Sequence, residues 1–189
     1  MVKKSKRNEE EEEYFQREDI EKKEKIRRER QLKALRQEER ENIAQKLNTS
    51  EAVAQEAMEL GFDAETARVL PLVPLIQVAW ADGKVTTRQF EKVKKKAKRY
   101  GVQKDTPAYE FLELLLHEEP TGLFFDRVNQ VIRNIVDEDP GGKVSSNVLS
   151  WSKAVAQSSG GFFGLTNPIS NNERAVLDEF AELFGIVEN

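Results

Sequence analysis

The chain of 189 residues contains no cysteine, which excludes disulfides, thiolate nucleophiles and cysteine-ligated metals. It has one histidine, His117, with no supporting motif, so no Ser/His/Asp set can be argued. Gly160-Gly-Phe-Phe-Gly lacks the Gly-Lys-Ser/Thr ending of a phosphate-binding loop. No segment shows convincing strand alternation. No apolar run approaches the length needed to span a bilayer. Met1-Val-Lys-Lys-Ser-Lys-Arg is basic like the start of a signal peptide. The run Glu9 to Glu13 then stands where an apolar segment is required, so a signal peptide is rejected. The expectation is a soluble cytoplasmic protein.

What is abundant is charge, and it is unevenly spread. Residues 1–47 hold 15 Lys/Arg and 13 Asp/Glu, a net of +2, whereas the remaining 142 residues hold 15 and 21, a net of −6. A near-neutral charged arm therefore precedes an acidic domain. Neither has the strong basic balance of a nucleic-acid binder, and an acidic domain is repelled by anionic lipid. We set the two domains at 1–47 and 48–189.

Residues 9 to about 47 read as one long helix. They contain no Gly or Pro and are dominated by Glu, Lys, Arg, Gln and Leu. Opposite charges lie four apart at Glu18–Lys22, Glu21–Lys25 and Glu24–Arg28. Tyr14, Phe15, Ile20, Ile26, Leu32, Leu35, Ile43 and Leu47 are too irregularly spaced for a heptad seam. Two readings stand side by side: a solvated or partly disordered arm, and a helix that docks its few apolar residues on a partner.

Beyond the arm, Thr49 or Ser50 caps a helix that runs to Leu60 and stops at Gly61. Asp63 caps a short helical segment. Pro71 or Pro74 begins a buried helix ending near Trp80, because proline suits the first helical turn. Asp82-Gly83 makes a tight turn before a lysine-rich helix from Thr87 to Tyr100. Thr106-Pro107 starts a helix to about His117, and Pro120-Thr121-Gly122 forms a turn. A helix from Phe124 to about Val136 places Phe124, Val128, Val131, Ile132 and Ile135 on one face. A further helix runs from Lys143 or Ser145 to Gln157, with Val148, Trp151 and Val155 inward. The last spans about Asn171 to Phe184. The fold class is all-α: a compact bundle of about seven helices preceded by a long charged helix.

Within the bundle is a faint repeat. Val85-Thr-Thr-Arg-Gln-Phe-Glu-Lys-Val through Tyr100-Gly-Val echoes Ile169-Ser-Asn-Asn-Glu-Arg-Ala-Val-Leu through Phe184-Gly-Ile. Thr86 sits three residues before Gln89, and Ser170 three before Glu173, the spacing of a capping box. Gly101 and Gly185 suit the left-handed residue that ends a helix. Val85 and Phe90 have the spacing of a hydrophobic staple, whereas the second copy has Arg174 at that position. The pattern reads as a pseudo-duplicated helical hairpin or as convergence on common capping chemistry.

Leu75-Ile-Gln-Val-Ala-Trp-Ala-Asp-Gly-Lys-Val, followed by a capped helix ending in Tyr100-Gly-Val, resembles the TerB-like (tellurite-resistance type) domain over about residues 50–188. That family carries an Ala-Asp-Gly turn between two helices and a looser second copy near its C-terminus. The resemblance implies a compact helical bundle without established enzyme chemistry. It also implies links to stress responses and to membrane- or chaperone-associated complexes. Some members bind divalent metal through clustered acidic residues. Here the Glu that the pattern places seven residues after Asp82 is Gln89, a weaker metal ligand, and Asn167 lies near where the second aspartate would fall. The metal candidates carried over are Asp82 and Glu173, paired across the two units as a split, weak divalent-metal site. No other cofactor is expected.

Glu11-Glu-Glu-Tyr14-Phe15-Gln-Arg-Glu-Asp-Ile-Glu21 resembles the start of the inhibitory helix of mitochondrial-type ATPase inhibitor proteins, over roughly residues 9–35. In that family the helix wedges into a catalytic interface of the rotary F-type ATPase. The resemblance implies partner contacts through Glu12, Tyr14, Phe15, Arg17 and Glu21. The chain lacks the Gly-rich lead and the His-rich segment of the animal members, so pH-dependent inhibition does not carry over.

Three further features have a structural and a functional reading. Lys92, Lys94, Lys95, Lys96 and Lys98 spread around their helix as a solvated surface or dock an acidic partner. Phe162 and Phe163 plug the core or form an exposed contact. His117 is a helix-end cation or a core residue. The expectation is a non-enzymatic interaction protein whose arm engages a protein partner. The alternatives are an inhibitor of a rotary ATPase and a metal-binding stress protein, with oligomeric state left open.

Overall fold

The computed structural model describes residues 2–139, 141–158 and 169–185, with side chains described from residue 14 except at 143, 145 and 146. The glycine loop with Phe162, Phe163 and Asn167, the terminal Ile186 and the side chain of Glu12 lie outside them. Among the described residues all regular structure is helical: eight α-helices, one 3-10 helix and no strand. None of these helices is long and apolar enough to cross a membrane. The chain divides into two compact units, residues 1–39 and 40–189.

Helix α1 (Val2–Leu47) starts seven residues earlier than the composition indicated. In the first unit it is a single charged helix. Of the expected ion pairs, Glu18–Lys22 and Glu24–Arg28 form, each at 3.4 Å. Such exposed pairs each contribute only about 0.2–0.5 kcal/mol, so propensity and number hold the helix more than any one pair.

The second unit begins at Arg40 and not at residue 48. The last turns of α1 turn apolar and bury Ile43 and Ala44, and Arg40 Nε reaches Glu51 Oε2 at 3.1 Å. Ser50 is the cap of α2 (Glu51–Glu59). Gly61, at φ +88°, ends that helix. Its N–H bonds Met58 C=O and the Phe62 N–H bonds Ala57 C=O, the paired closure that a left-handed residue permits. Asp63 Oδ1 accepts the Thr66 N–H at 2.7 Å and leads into a 3-10 helix, Ala67–Leu72. Helix α3 (Val73–Trp80) carries Pro74 in its first turn, where the missing N–H is harmless.

Helix α3 buries Val73, Pro74, Leu75, Ile76, Val78 and Ala79, and packs against the 3-10 helix and α4, α6, α7 and α8. A helix apolar on nearly every side belongs at the centre of a bundle. Each such large side chain stabilises the fold by about 1.5–3 kcal/mol through removal from water. The surrounding helices are α4 (Thr87–Arg99), α5 (Pro107–His117), α6 (Gly122–Asp137), α7 (Lys143–Ala156) and α8 (Asn171–Leu183).

Three local expectations need correction. Thr121 caps α6 through the Phe124 N–H at 3.2 Å, so Gly122 is the first helical residue and not part of a turn. That earlier start leaves Phe124 half-buried and puts Phe125 in the core with Val128, Val131, Ile132 and Ile135. Trp151 is half-buried against the core, its ring edge-on to Tyr100 at 4.9 Å, while Val148 and Val155 are fully inside. His117 is exposed in the last turn of α5, tilted against Phe90 at 5.1 Å, which is the helix-end reading of that residue.

Candidate functional site

The two units of the repeat meet at their helix starts. Thr86 caps α4 and Ser170 caps α8, and both capping boxes are complete. In the first, Gln89 Oε1 accepts the Thr86 N–H and hydroxyl, each at 2.8 Å. Those two donors fix which end of the amide faces Thr86. Nε2 is left to donate to Glu173 Oε1 at 2.9 Å. In the second box Glu173 Oε2 accepts the Ser170 N–H at 2.8 Å. The third helical residues of the two copies, 84 positions apart, are therefore bonded directly to each other.

Both partners are shut away from solvent: Gln89 is 2% exposed and Glu173 0%. Burying a carboxylate is costly unless donors meet it. The amide at 89 supplies one such donor. A second carboxylate there would face that of Glu173 across the same short distance.

Asp82 joins the same network from the turn after α3. Gly83, at φ +74°, lets the chain reverse, and its N–H bonds Trp80 C=O at 2.7 Å. Asp82 Oδ1 then accepts the Ser170 hydroxyl at 2.9 Å and the Asn172 amide at 3.1 Å. The structure therefore brings the two expected metal residues to one place, on either side of Ser170. It engages their oxygens with hydroxyl, amide and backbone donors. A cation there would have to displace those bonds. Among the described residues no group of three or more His, Asp or Glu is placed to hold a metal ion.

The expected partner-binding residues lie on α1. Tyr14 and Phe15 are 60% and 63% exposed and meet edge-on with ring centroids 6.0 Å apart. The Tyr14 hydroxyl donates to Glu18 Oε1 at 3.3 Å. Arg17 and Glu21 are exposed on the same stretch. Tyr14, Arg17 and Glu21 follow one another at i, i+3 and i+7 on one stripe of the helix, with Phe15 turned about 100° from it, and they form no enclosed site. An exposed aromatic pair on a charged helix can bury large area only against something else: about 150–250 Å² for each ring.

Two arrangements could not be read from spacing. The Glu138 carboxylate, at the end of α6, accepts the Thr49 hydroxyl and the Ser50 N–H, the latter at 2.7 Å. These hydrogen bonds from Ser50 and Thr49 hold its carboxyl below the usual range. The lysines of α4 are also not all solvated. Lys94 lies 5.0 Å from the Phe90 ring and 5.2 Å from that of Tyr109, and Lys96 lies 5.0 Å from Trp151. Burial, and then the nearby Arg99, Lys92 and Lys95, push the Lys96 ammonium below its ordinary value.

Comparison of the chain with protein-family models, curated proteins and solved structures found no match.

Proposed function

We propose that this chain is a non-enzymatic interaction protein of the cytoplasm, in which a TerB-like helical bundle carries an N-terminal helix that docks on a protein partner. One observation carries the reading. Of the eight large hydrophobic side chains that stand exposed among the described residues, six lie on α1 between Tyr14 and Leu35. The bundle buries its apolar surface well, and the arm does not. Exposed apolar groups set among charges are what a docking helix offers, with the charges fixing register and the rings supplying area.

The test places a photo-reactive residue at Gln16, in the full chain and in its own cell, with a second at Glu65 on the bundle as control. The expected result is a discrete adduct from position 16 that disappears when Tyr14→Ala and Phe15→Ala are combined. No adduct at 16, or an adduct indifferent to the double substitution, overturns the proposal.

The adjacent, exposed Tyr14–Phe15 pair favours one narrower reading, an inhibitor of a rotary F-type ATPase. The full chain should then slow ATP hydrolysis by the F-type ATPase of the same cell, and the Tyr14→Ala/Phe15→Ala variant should not. Undiminished hydrolysis at micromolar protein removes this reading and leaves the broader one standing.

A further inference from the structure

An acidic domain need not be acidic everywhere. In the second unit the end of α1, the 3-10 helix, the end of α4, α6 and the start of α7 surround a cleft of about 490 Å³. Its charged lining is of one sign: Lys46, Arg68 and Arg99, with no carboxylate among the described lining residues. Its remaining wall is largely apolar and includes Pro71, Tyr100 and Ile135. Ile135 is buried, and Tyr100 is half-buried enough that desolvation raises its phenol above the ordinary value.

Lys46 donates to the Ala64 carbonyl at the rim. Arg68 and Arg99 are exposed and enter no ion pair with a described carboxylate. Arg68 lies close over the turn that ends α4. A Cβ built on Gly101 would stand 2.4 Å from Arg68 Nη1, so the glycine makes room for the guanidinium. The requirement for glycine comes from φ +77° at Gly101, since the guanidinium is the far end of a flexible, exposed side chain. Lys92 and Lys95 continue the positive surface along α4 from Arg99 at helical spacing, i, i+3 and i+7.

We propose that this cleft binds a small amphiphilic oxyanion: a carboxylate or phosphate head held by Arg68 and Arg99, with an apolar stem lying on Pro71, Tyr100 and Ile135. Arginine forks match the planar, two-oxygen face of either head group. The volume falls within the range of small-molecule sites, about 300–1,000 Å³. The proposal is independent of the arm and of its partner.

The test is calorimetric titration of the full chain with octyl phosphate, decanoate, inorganic phosphate and octylammonium. Octyl phosphate or decanoate should bind saturably and at least about tenfold more tightly than inorganic phosphate, and octylammonium should not bind. Whichever of the two binds more tightly identifies the head group. Arg68→Gln combined with Arg99→Gln should weaken binding by about tenfold or more, as expected for loss of charge-assisted bonds. Arg68→Lys, which keeps the charge and loses the fork, should fall between. Both arginines are exposed, and an unchanged circular dichroism spectrum shows that the variants are folded. The proposal is overturned if neither amphiphile binds below millimolar concentration, if inorganic phosphate or octylammonium binds as tightly, or if the double variant binds like the parent.

Discussion

Replacing Gln89 by Glu changes one atom group and almost no volume, yet it should be among the most damaging substitutions in the bundle. The new carboxylate would sit where an amide nitrogen now donates to Glu173 at 2.9 Å, in a site where the two residues are 2% and 0% exposed. Two buried carboxylates at that distance cannot both ionise, so the variant pair must take up a proton on folding. For a glutamate with an unfolded value near 4.3, holding one proton at pH 7 costs about 3–4 kcal/mol. In a domain of this size that lowers the melting temperature by on the order of 10 °C. The sign with pH follows from linkage. The variant binds more protons folded than unfolded, so its deficit grows as pH rises from about 4 towards 7 and vanishes at the acid end. The assay is urea unfolding of Gln89→Glu at a series of pH values beside the parent chain. The reciprocal variant, Gln89→Glu with Glu173→Gln, restores one donor and one carboxylate in mirrored order. It should recover a large part of the loss, which an additive pair would not. Parent-like stability of Gln89→Glu at pH 7, or a double variant no better than the single one, refutes the reasoning.

Other substitutions read other parts of the structure. Tyr14→Ala with Phe15→Ala should leave the thermal stability of the bundle within about 0.5 kcal/mol, because both rings are exposed and belong to the first unit; a larger loss would mean that these rings support the fold. Gly101→Ala should cost more than Gly61→Ala in urea unfolding. Both sites have positive φ, worth about 1 kcal/mol or more, and at Gly101 the new methyl would also displace the flexible end of Arg68 from the cleft, so the excess should be small; a loss at Gly61 larger than at Gly101 refutes it. The lowered carboxyl of Glu138 favours the folded state at neutral pH, and this contribution is lost as pH falls below the ordinary glutamate value and through the lower folded one. Glu138→Gln should therefore lower stability near pH 7 and flatten its decline in acid, as followed by thermal melts between the two.

Local chemistry was well legible in the sequence. Ser50, Thr86, Thr106 and Ser170 cap helices as their spacing indicated, and Gly61, Gly83, Gly101 and Gly185 all take positive φ. Thr121 was missed because Pro120 and Gly122 on either side of it carry strong turn signals, although its hydroxyl makes an equally good cap. The long helix ends at Leu47 as its composition indicated, while the second compact unit starts before that end. Asn48-Thr-Ser marks where the helix stops, but burial of Ile43 and Ala44 decides where the bundle begins. Relations between distant residues were not legible. The composition of either capping box gives no sign that Gln89 and Glu173 touch, and the cations at 46, 68 and 99 come together only through the packing of three elements. Gly101 was the one available clue to the cleft, and its role as a helix end accounted for it fully until the position of Arg68 was known.

The bond between Gln89 and Glu173 also bears on ancestry. If the two hairpins descend from one doubled segment, both copies began with the same residue at this position: two glutamates would have faced each other with like charge in the interior, whereas two glutamines could have hydrogen-bonded. Relatives of this chain should show Gln with Glu, Glu with Gln or two amides at these paired positions. Two glutamates should occur only where the hairpins have moved apart or a cation has come between them.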